Sequence, residues 1–225
     1  MTAIVSLKNP KNSHRKKVRL PRHSTKFAEF VGIMLGDGGI NNPWQATITL
    51  NASKDAEYAH YVFQLIVELF GVVPAVRKRK TSQALVISLA STTIVDFLVS
   101  EGLSRGNKLK NGLEIPHWIL RSRSYQVACV RGLVDTDGCL FVHTHEVSKK
   151  KYFNIGLCFS SFSPKLIDQV AYAFVKARIM PHIDKRGKNI YLYRESAVKR
   201  YLKYFGTSNK RISSVYKDWR GARVV

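Results

Sequence analysis

Apolar positions along the chain follow two periods, and the two alternate in the same order twice. Ser24 or Thr25 can cap a helix whose face carries Phe27, Phe30, Val31, Met34 and Leu35 and which stops at Gly38-Gly39. "WQATITLN" then switches to period two, with Ala46, Ile48 and Leu50 against Gln45, Thr47, Thr49 and Asn51, the pattern of a half-buried strand. Helical spacing returns from Lys54 to Phe70 and closes at Gly71. "AVRKRK" and "QALVISL" form a hairpin around Thr81-Ser82, and "TTIVDFLVSEGL" a short helix.

The second half replays this order. Tyr125 to Thr136 reads as a helix ending at Gly138. "CLFVHTHE" and "YFNIGLCF" read as strands, the latter burying Phe153, Ile155, Leu157 and Phe159. Ser163-Pro164 opens a helix to about Arg178. "PHIDKR" with "NIYLYR" repeats the hairpin, and "SAVKRYLKYFG" the final helix. The fold class is therefore α+β, with two pseudo-symmetric αββαββα halves. The divisions are a basic arm over 1–23, a first half over 24–104, a linker over 105–121 and a second half over 122–225. Neither half hides its sheet and opening helix alone, so the two opening helices are expected to pack together.

Charge narrows the partners. The 225 residues hold 37 Lys and Arg against 15 Asp and Glu, a net +22, with 45% apolar and 11% aromatic residues. The first 28 residues carry eight Lys or Arg and no acid, which predicts a mobile arm. Elsewhere the basic residues are spread among folded segments. That distribution fits a polyanionic partner, nucleic acid before a membrane surface, since no basic amphipathic helix stands out. No apolar run approaches the roughly 18 residues of a membrane span, and the amino end has no secretory core. An intracellular protein is expected, cytoplasmic in a prokaryote or organellar in a eukaryote. Cys129, Cys139 and Cys158 form no CxxC pair, so reduced and mostly buried thiols are expected rather than a disulfide framework or structural zinc.

The chemistry sits where the opening helices end. "FVGIMLGDG" and "VRGLVDTDG" each finish on an acid between small residues, Asp37 and Asp137. Gly32, Gly36, Ala128 and Gly132 leave faces on which two backbones can approach closely. Side by side, the helices would bring both carboxylates together at their carboxyl ends, where the helix dipole disfavours negative charge by roughly 0.3–1 kcal/mol each. A divalent cation relieves both penalties. Oxygen ligands suit Mg²⁺, which keeps waters and takes phosphate oxygens, and the arrangement is equipped to hydrolyse a phosphodiester. Gly36 and Thr136 are grouped with the two acids as candidate metal-site residues. Taken singly, each Asp-Gly pair is ordinary turn chemistry; repetition at equivalent points of a duplicated, basic chain sets them apart. Asp135 has no counterpart, since Leu35 stands there in the first half, and is read as a structural residue.

The two segments resemble the LAGLIDADG motif of homing endonucleases, with that family's metal-binding acid falling on Asp37 and Asp137. The first departs from the motif at Leu35 and Gly36, positions that vary within the family. The resemblance spans roughly residues 24 to 215. It implies a monomer with two saddle-shaped antiparallel sheets lying on double-stranded DNA, and motif helices at the interface of the halves. It also implies cleavage of both strands of a long pseudo-palindromic target across the minor groove, leaving short 3′ overhangs. Mg²⁺ is the implied cofactor, Mn²⁺ substituting and Ca²⁺ supporting binding alone. The family places a catalytic lysine in each half, after the second hairpin. The matching segments "SRGNKLKN" and "TSNKRIS" offer Lys108, with Lys110 as rival, and Lys210. Some relatives lie inside self-splicing inserts. This chain has no nucleophilic first residue or His-Asn ending and is expected to be free-standing, encoded in an intron or intergenic element. A non-cleaving binder on the same scaffold, an intron maturase or a transcription regulator, is the other reading.

A two-stranded ribbon fits the major groove, where all four base pairs are distinguishable. Candidate readers in the first half are Gln45, Thr47, Thr49, Asn51, Arg77, Arg79 and Gln83. In the second they are His143, His145, Asn154, Arg186, Asn189, Tyr191 and Tyr193, the two tyrosines left open between packing and stacking on bases. His143 and His145 alternate on a strand without a third ligand and do not make a metal site. Lys149 to Lys151, Lys150 among them, are assigned to phosphate. Trp44, Trp118 and Trp219 are assigned to packing.

Overall fold

The computed structural model describes residues 17–147 and 150–221, apart from the side chains of residues 145, 147 and 150–152. The first half runs α1 (Thr25–Gly36), β1 (Gly38–Asn42), β2 (Gln45–Asn51), α2 (Ala56–Phe70), β3 (Ala75–Lys78), β4 (Ala84–Ala90) and α3 (Thr92–Ser100). A single turn, α4 (His117–Leu120), lies in the connection. The second half repeats the order with α5 (Arg123–Asp137), β5 (Gly138–Val147), β6 (Lys150–Ser160), α6 (Pro164–Lys176), β7 (His182–Ile183), β8 (Asn189–Leu192) and α7 (Glu195–Tyr204). A further helix, α8 (Lys210–Gly221), follows.

Local signals act as the sequence implies. The Ser24 hydroxyl accepts from the Phe27 amide at 3.2 Å, and the Ser163 hydroxyl from the Leu166 amide at 3.2 Å with Pro164 in the first turn. Gly71 ends α2 in the left-handed region, φ 66°. Each half makes a four-stranded antiparallel sheet, in the orders β1-β2-β4-β3 and β5-β6-β8-β7. Period-two burial is clean in β2, where Ala46, Ile48 and Leu50 face the helices while the polar residues between them stay partly open. In β6, Ile155, Leu157 and Phe159 are buried, but Phe153 is 53% exposed. It lies toward the far end of the long β5–β6 hairpin, where Trp219 from α8 reaches its backbone, Nε1 donating to the carbonyl at 3.1 Å.

Two connecting segments are more ordered than their composition suggests. Of the expected arm, residues 1–16 lie outside the described residues, while 17–23 pack against the first half and, through His23, against the connection and α5. The Arg19 amide donates to the Phe70 carbonyl at 2.8 Å, and His23 stacks on Trp118 with ring centres 3.9 Å apart. The expected linker buries Leu113, Ile115 and Ile119. Trp118 and Trp219 do pack, Trp118 half-buried, whereas Trp44 is 58% exposed in the β1–β2 turn and supports no core.

Candidate active site

The two halves meet along α1 and α5. A methyl on Gly32 would run into the Cys129 carbonyl, and one on Gly132 into the Glu29 carbonyl while standing 3.0 Å from the Ile33 amide nitrogen. The helices are thus in backbone contact, a separation only glycine permits at both crossing points. Gly38 and Gly138 let each chain turn from its helix straight into a strand, since a Cβ at either would strike the helix's last turn at Met34 or Val134.

This crossing sets the carboxyl ends of both helices together. Asp37 caps α1 and Asp137 is the last residue of α5. The Asp137 Oδ2 lies 3.2 Å from where a Cβ on Gly36 would stand, so it abuts the end of the opposite motif helix. Burial pushes the Asp137 carboxyl up to about 7, the neighbouring Asp37 charge adds to the rise, and Lys108 opposes it. Burial likewise raises Asp37 to about 6, Lys108 opposing, Asp55 adding and Arg211 opposing.

Lys108 is drawn in from the linker. Its ammonium donates to the carbonyls of Leu35 at 2.7 Å and Gly38 at 3.1 Å, and also to that of Gly36. These oxygens end α1, where the dipole favours a cation. Burial lowers the Lys108 pKa, and Asp137 and Asp37 counteract the drop. Lys110, its rival, is exposed and only its backbone amide is held, by Asn107 Oδ1 at 3.2 Å.

The structure does not bring Lys210 to the acids. Its side chain is 76% exposed and pairs with Glu57 at 2.8 Å, because α8 begins there and turns it outward. The residue that reaches inward is Arg211, whose Nε donates to Asp55 Oδ1 at 2.9 Å and whose charge acts on Asp37. Asn209 supports the same oxygen through Nδ2 at 3.1 Å and also donates to the Asp135 carbonyl at 3.0 Å. Sequence reading missed Arg211 and Asp55. The available signal was that "TSNKRIS" offers two adjacent cations, and only one can face the site once a helix starts at Lys210.

Below the acids runs a buried polar network between the halves. Glu29, 1% exposed, pairs with Arg131 of the other motif helix and accepts from Tyr61 at 2.9 Å and Ser208 at 2.6 Å. Asp135 is buried as well, accepting from the Thr207 hydroxyl at 2.5 Å and the Ser208 amide at 2.7 Å, in line with a structural role. Glu29, a lone acid within an apolar helix face, was another missed residue.

The metal-site residues offer oxygen donors of the kind Mg²⁺ takes in the two carboxylates, both destabilised as anions, whereas the Gly36 carbonyl is taken by the Lys108 ammonium. Thr136 contributes differently, its hydroxyl turning back on α5 to the Gly132 carbonyl at 3.0 Å and the Leu133 carbonyl at 2.9 Å. Among the described residues no group of three or more His, Cys, Asp or Glu side chains is placed to hold a metal. A cation here would therefore complete its shell with water and phosphate oxygens.

The open faces of the sheets carry the remaining candidates. Thr49 and Arg77 both pair in register with Val86 and so share a face with Thr47 and Gln45. Arg79 and Gln83 flank the exposed β3–β4 turn. Asn51 is held locally instead, its Oδ1 accepting from Ser53 and Lys54 amides at 3.1 and 2.9 Å. In the second sheet, Phe141, His143, Tyr191 and Tyr193 form one aromatic surface, the tyrosines stacked at 5.2 Å. Asn154 pairs in register with His143, and Arg186 is exposed in the β7–β8 turn. Asn189 is engaged, accepting from Ser160 at 2.6 Å and donating to Asp184 at 2.8 Å. The His145 and Lys150 side chains lie outside the described residues.

No protein-family model and no curated protein matches the sequence. Solved structures do match the fold. One is the I-LtrWI LAGLIDADG homing endonuclease bound to target DNA, with a TM-score of 0.58, 11% identity and 88% of this chain covering 89% of that one. Another is the meganuclease I-SmaMI bound to uncleavable DNA, with a TM-score of 0.57, 12% identity, and coverages of 88% and 90%. A third comprises variants of the homing endonuclease I-DmoI, with a TM-score of 0.51, 16% identity, and coverages of 82% and 97%. With its two α+β halves joined along paired motif helices, the chain has the LAGLIDADG homing-endonuclease fold, both motifs on one polypeptide.

Proposed function

We propose that this protein is a site-specific double-strand DNA endonuclease that hydrolyses phosphodiesters with Mg²⁺ at Asp37 and Asp137. The observation that carries this reading is the pair of carboxylates set together at the ends of two helices in backbone contact. A chain that only bound nucleic acid would gain nothing from two mutually repelling acids beside phosphate. The +22 charge and the DNA-bound state of the I-LtrWI and I-SmaMI structures support the choice of substrate.

In this reading, Asp37 and Asp137 would hold the metal, which would supply a Lewis acid and an activated water when bound. Lys108 acts on both acids and Arg211 on Asp37, which places positive charge where negative charge develops on a phosphate in hydrolysis. The first sheet's face around Gln45, Thr47, Thr49 and Arg77 reads base edges by hydrogen bonds, and the aromatic face of the second sheet meets base edges by apolar contact. The protein acts as a monomer on a long pseudo-palindromic site, cutting across the minor groove to leave short 3′ overhangs. Mn²⁺ substitutes and Ca²⁺ permits binding alone. It is encoded in an intron or intergenic element and works inside the cell. Among the described residues no helix is long and apolar enough to cross a membrane.

The test is selection from a randomised duplex library with Mg²⁺, with Ca²⁺ as the binding-only control. Recovery of one cleaved sequence class with short 3′ ends is expected. Selective retention without cleavage in Mg²⁺ or Mn²⁺ would assign the chain to non-cleaving binders.

A further inference from the structure

The open face of the second sheet carries two thiols that the proposed cleavage does not use. Cys139 of β5 and Cys158 of β6 are register partners in the antiparallel ladder. Partners in such a ladder have Cα atoms roughly 4.5 or 5.5 Å apart, and both values lie within the span that a disulfide bridges. Their neighbours Leu140 and Leu157 are buried, so both cysteines point to the other, open side, Cys139 exposed and Cys158 half-buried. Their side chains interact, the Cys139 thiol acting as donor to the Cys158 sulfur. The Ser160 hydroxyl lies 3.6 Å from the Cys158 sulfur, and Tyr191, its register partner on β8, adds a second hydroxyl. These donors favour the thiolate of Cys158, the Cys139 thiol first among them. Cys129 is the contrast, sealed between the motif helices and held protonated by burial.

We propose that Cys139 and Cys158 form a reversible dithiol–disulfide site on the open face of the second sheet, closed by a peroxide-class oxidant. The Cys158 thiolate attacks the peroxide O–O bond, forming a sulfenic acid and releasing one oxygen as hydroxide, which takes a proton to leave as water. The Cys139 sulfur then displaces the sulfenic oxygen as a second water, its own proton leaving with it, and the S–S bond forms. In total two thiols lose two electrons and two protons, and hydrogen peroxide becomes two waters. Resting on the endonuclease reading, the bridge would lie on the DNA-facing surface two residues from Asp137, within the strand that leaves the second motif.

The full-length protein is treated with hydrogen peroxide and analysed by intact mass, thiol titration and peptide mapping. The expected product has lost two hydrogens, has lost both accessible thiols, and links the Cys139 and Cys158 peptides. Dithiothreitol should reverse it. Cys139→Ser should stop at a trappable sulfenic acid on Cys158, and Cys158→Ser should show no bridge. Oxygen addition without linkage in the wild type, a bridge to Cys129, or covalent dimers would overturn the site. A second arm adds a random-sequence duplex at low salt before the oxidant. Protection supports the DNA-facing placement of the pair. A bridge that forms equally fast on bound protein counts against that placement alone, because the dithiol would still be demonstrated.

Discussion

Arg211 and Asp55 hold each other across the two halves of the molecule, Nε to Oδ1 at 2.9 Å, and so fix a cation near Asp37. Lys210, one residue earlier, is turned out to an exposed pair with Glu57. Arg211→Ala and Lys108→Ala are therefore expected to slow cleavage by about 10²–10³-fold, the scale for removing one preorganised charge-stabilising donor. Lys210→Ala should change it little, because an exposed ion pair contributes roughly 0–1 kcal/mol. Single-turnover cleavage of one duplex by all three variants decides the assignment, and a larger loss in Lys210→Ala than in Arg211→Ala would reverse it.

Removing either acid should separate binding from chemistry. Asp37→Asn and Asp137→Asn are each expected to abolish cutting while leaving DNA affinity intact or improved, since a negative charge facing phosphate is gone. Cleavage gels beside equilibrium binding in Ca²⁺ would show this, and cutting retained by both variants would remove the proposed site.

The same carboxyls predict a pH dependence of stability without metal. Asp37 and Asp137 are raised from 3.8 to about 6 and about 7, so the folded state binds their protons more tightly than the unfolded chain. Their contribution is fully present below pH 3.8 and disappears as pH rises through 6 and 7. Above that window Asp137→Asn should melt higher than wild type in a chelator, by ~2–4 °C per kcal/mol relieved for a chain of this length. Added Mg²⁺ should narrow the gap by stabilising the wild type alone. Calorimetry at acidic and neutral pH, with and without Mg²⁺, checks the sign.

The helix crossing leaves no room for a side chain. Gly32→Val and Gly132→Val must push a Cβ into a backbone carbonyl of the opposite helix, which cannot swing away as a side chain could. Each should cost at least the ~1–3 kcal/mol typical of overpacking. Each should also depress cleavage more than DNA binding, since the acids separate while the sheets persist. Denaturant midpoints together with cleavage rates test the pair.

A basic protein tracking a duplex should respond steeply to salt. If six or more phosphates are neutralised, affinity falls by roughly 10³-fold or more from 50 to 200 mM salt. A filter-binding series across that range would expose a flat response, which is incompatible with an extended phosphate track.

Much of this was legible because the signals were local and duplicated. Ser24, Ser163-Pro164 and Gly71 mark helix ends by backbone chemistry that needs no tertiary context. Repetition made the Asp37 and Asp137 pairing readable, as each motif supplied the other's missing partner. What stayed hidden was the direction in which side chains leave short or irregular segments. Nothing periodic separates Lys210 from Arg211, and only the start of α8 decides which of them faces inward. Burial of Glu29 depends on Arg131, Tyr61 and Ser208, which lie far from it in sequence and have no pattern in common. The thiols were expected to be mostly buried, yet Cys139 and Cys158 share the open face because their strands place them outward in register.

The connection between the halves is divided in its allegiance. Its beginning belongs to the first half, with the Gly106 amide on the Ile40 carbonyl at 2.7 Å and Lys108 on the end of α1. Its end belongs to the second, with the Ser163 hydroxyl on the Leu113 carbonyl at 2.6 Å and the Ile115 amide on Gln169 at 2.7 Å. Between them residues 109–112 are exposed. A nick placed there would leave the principal anchors of each half on its own fragment, so the protein is expressible as two separate chains that regain competence only on meeting.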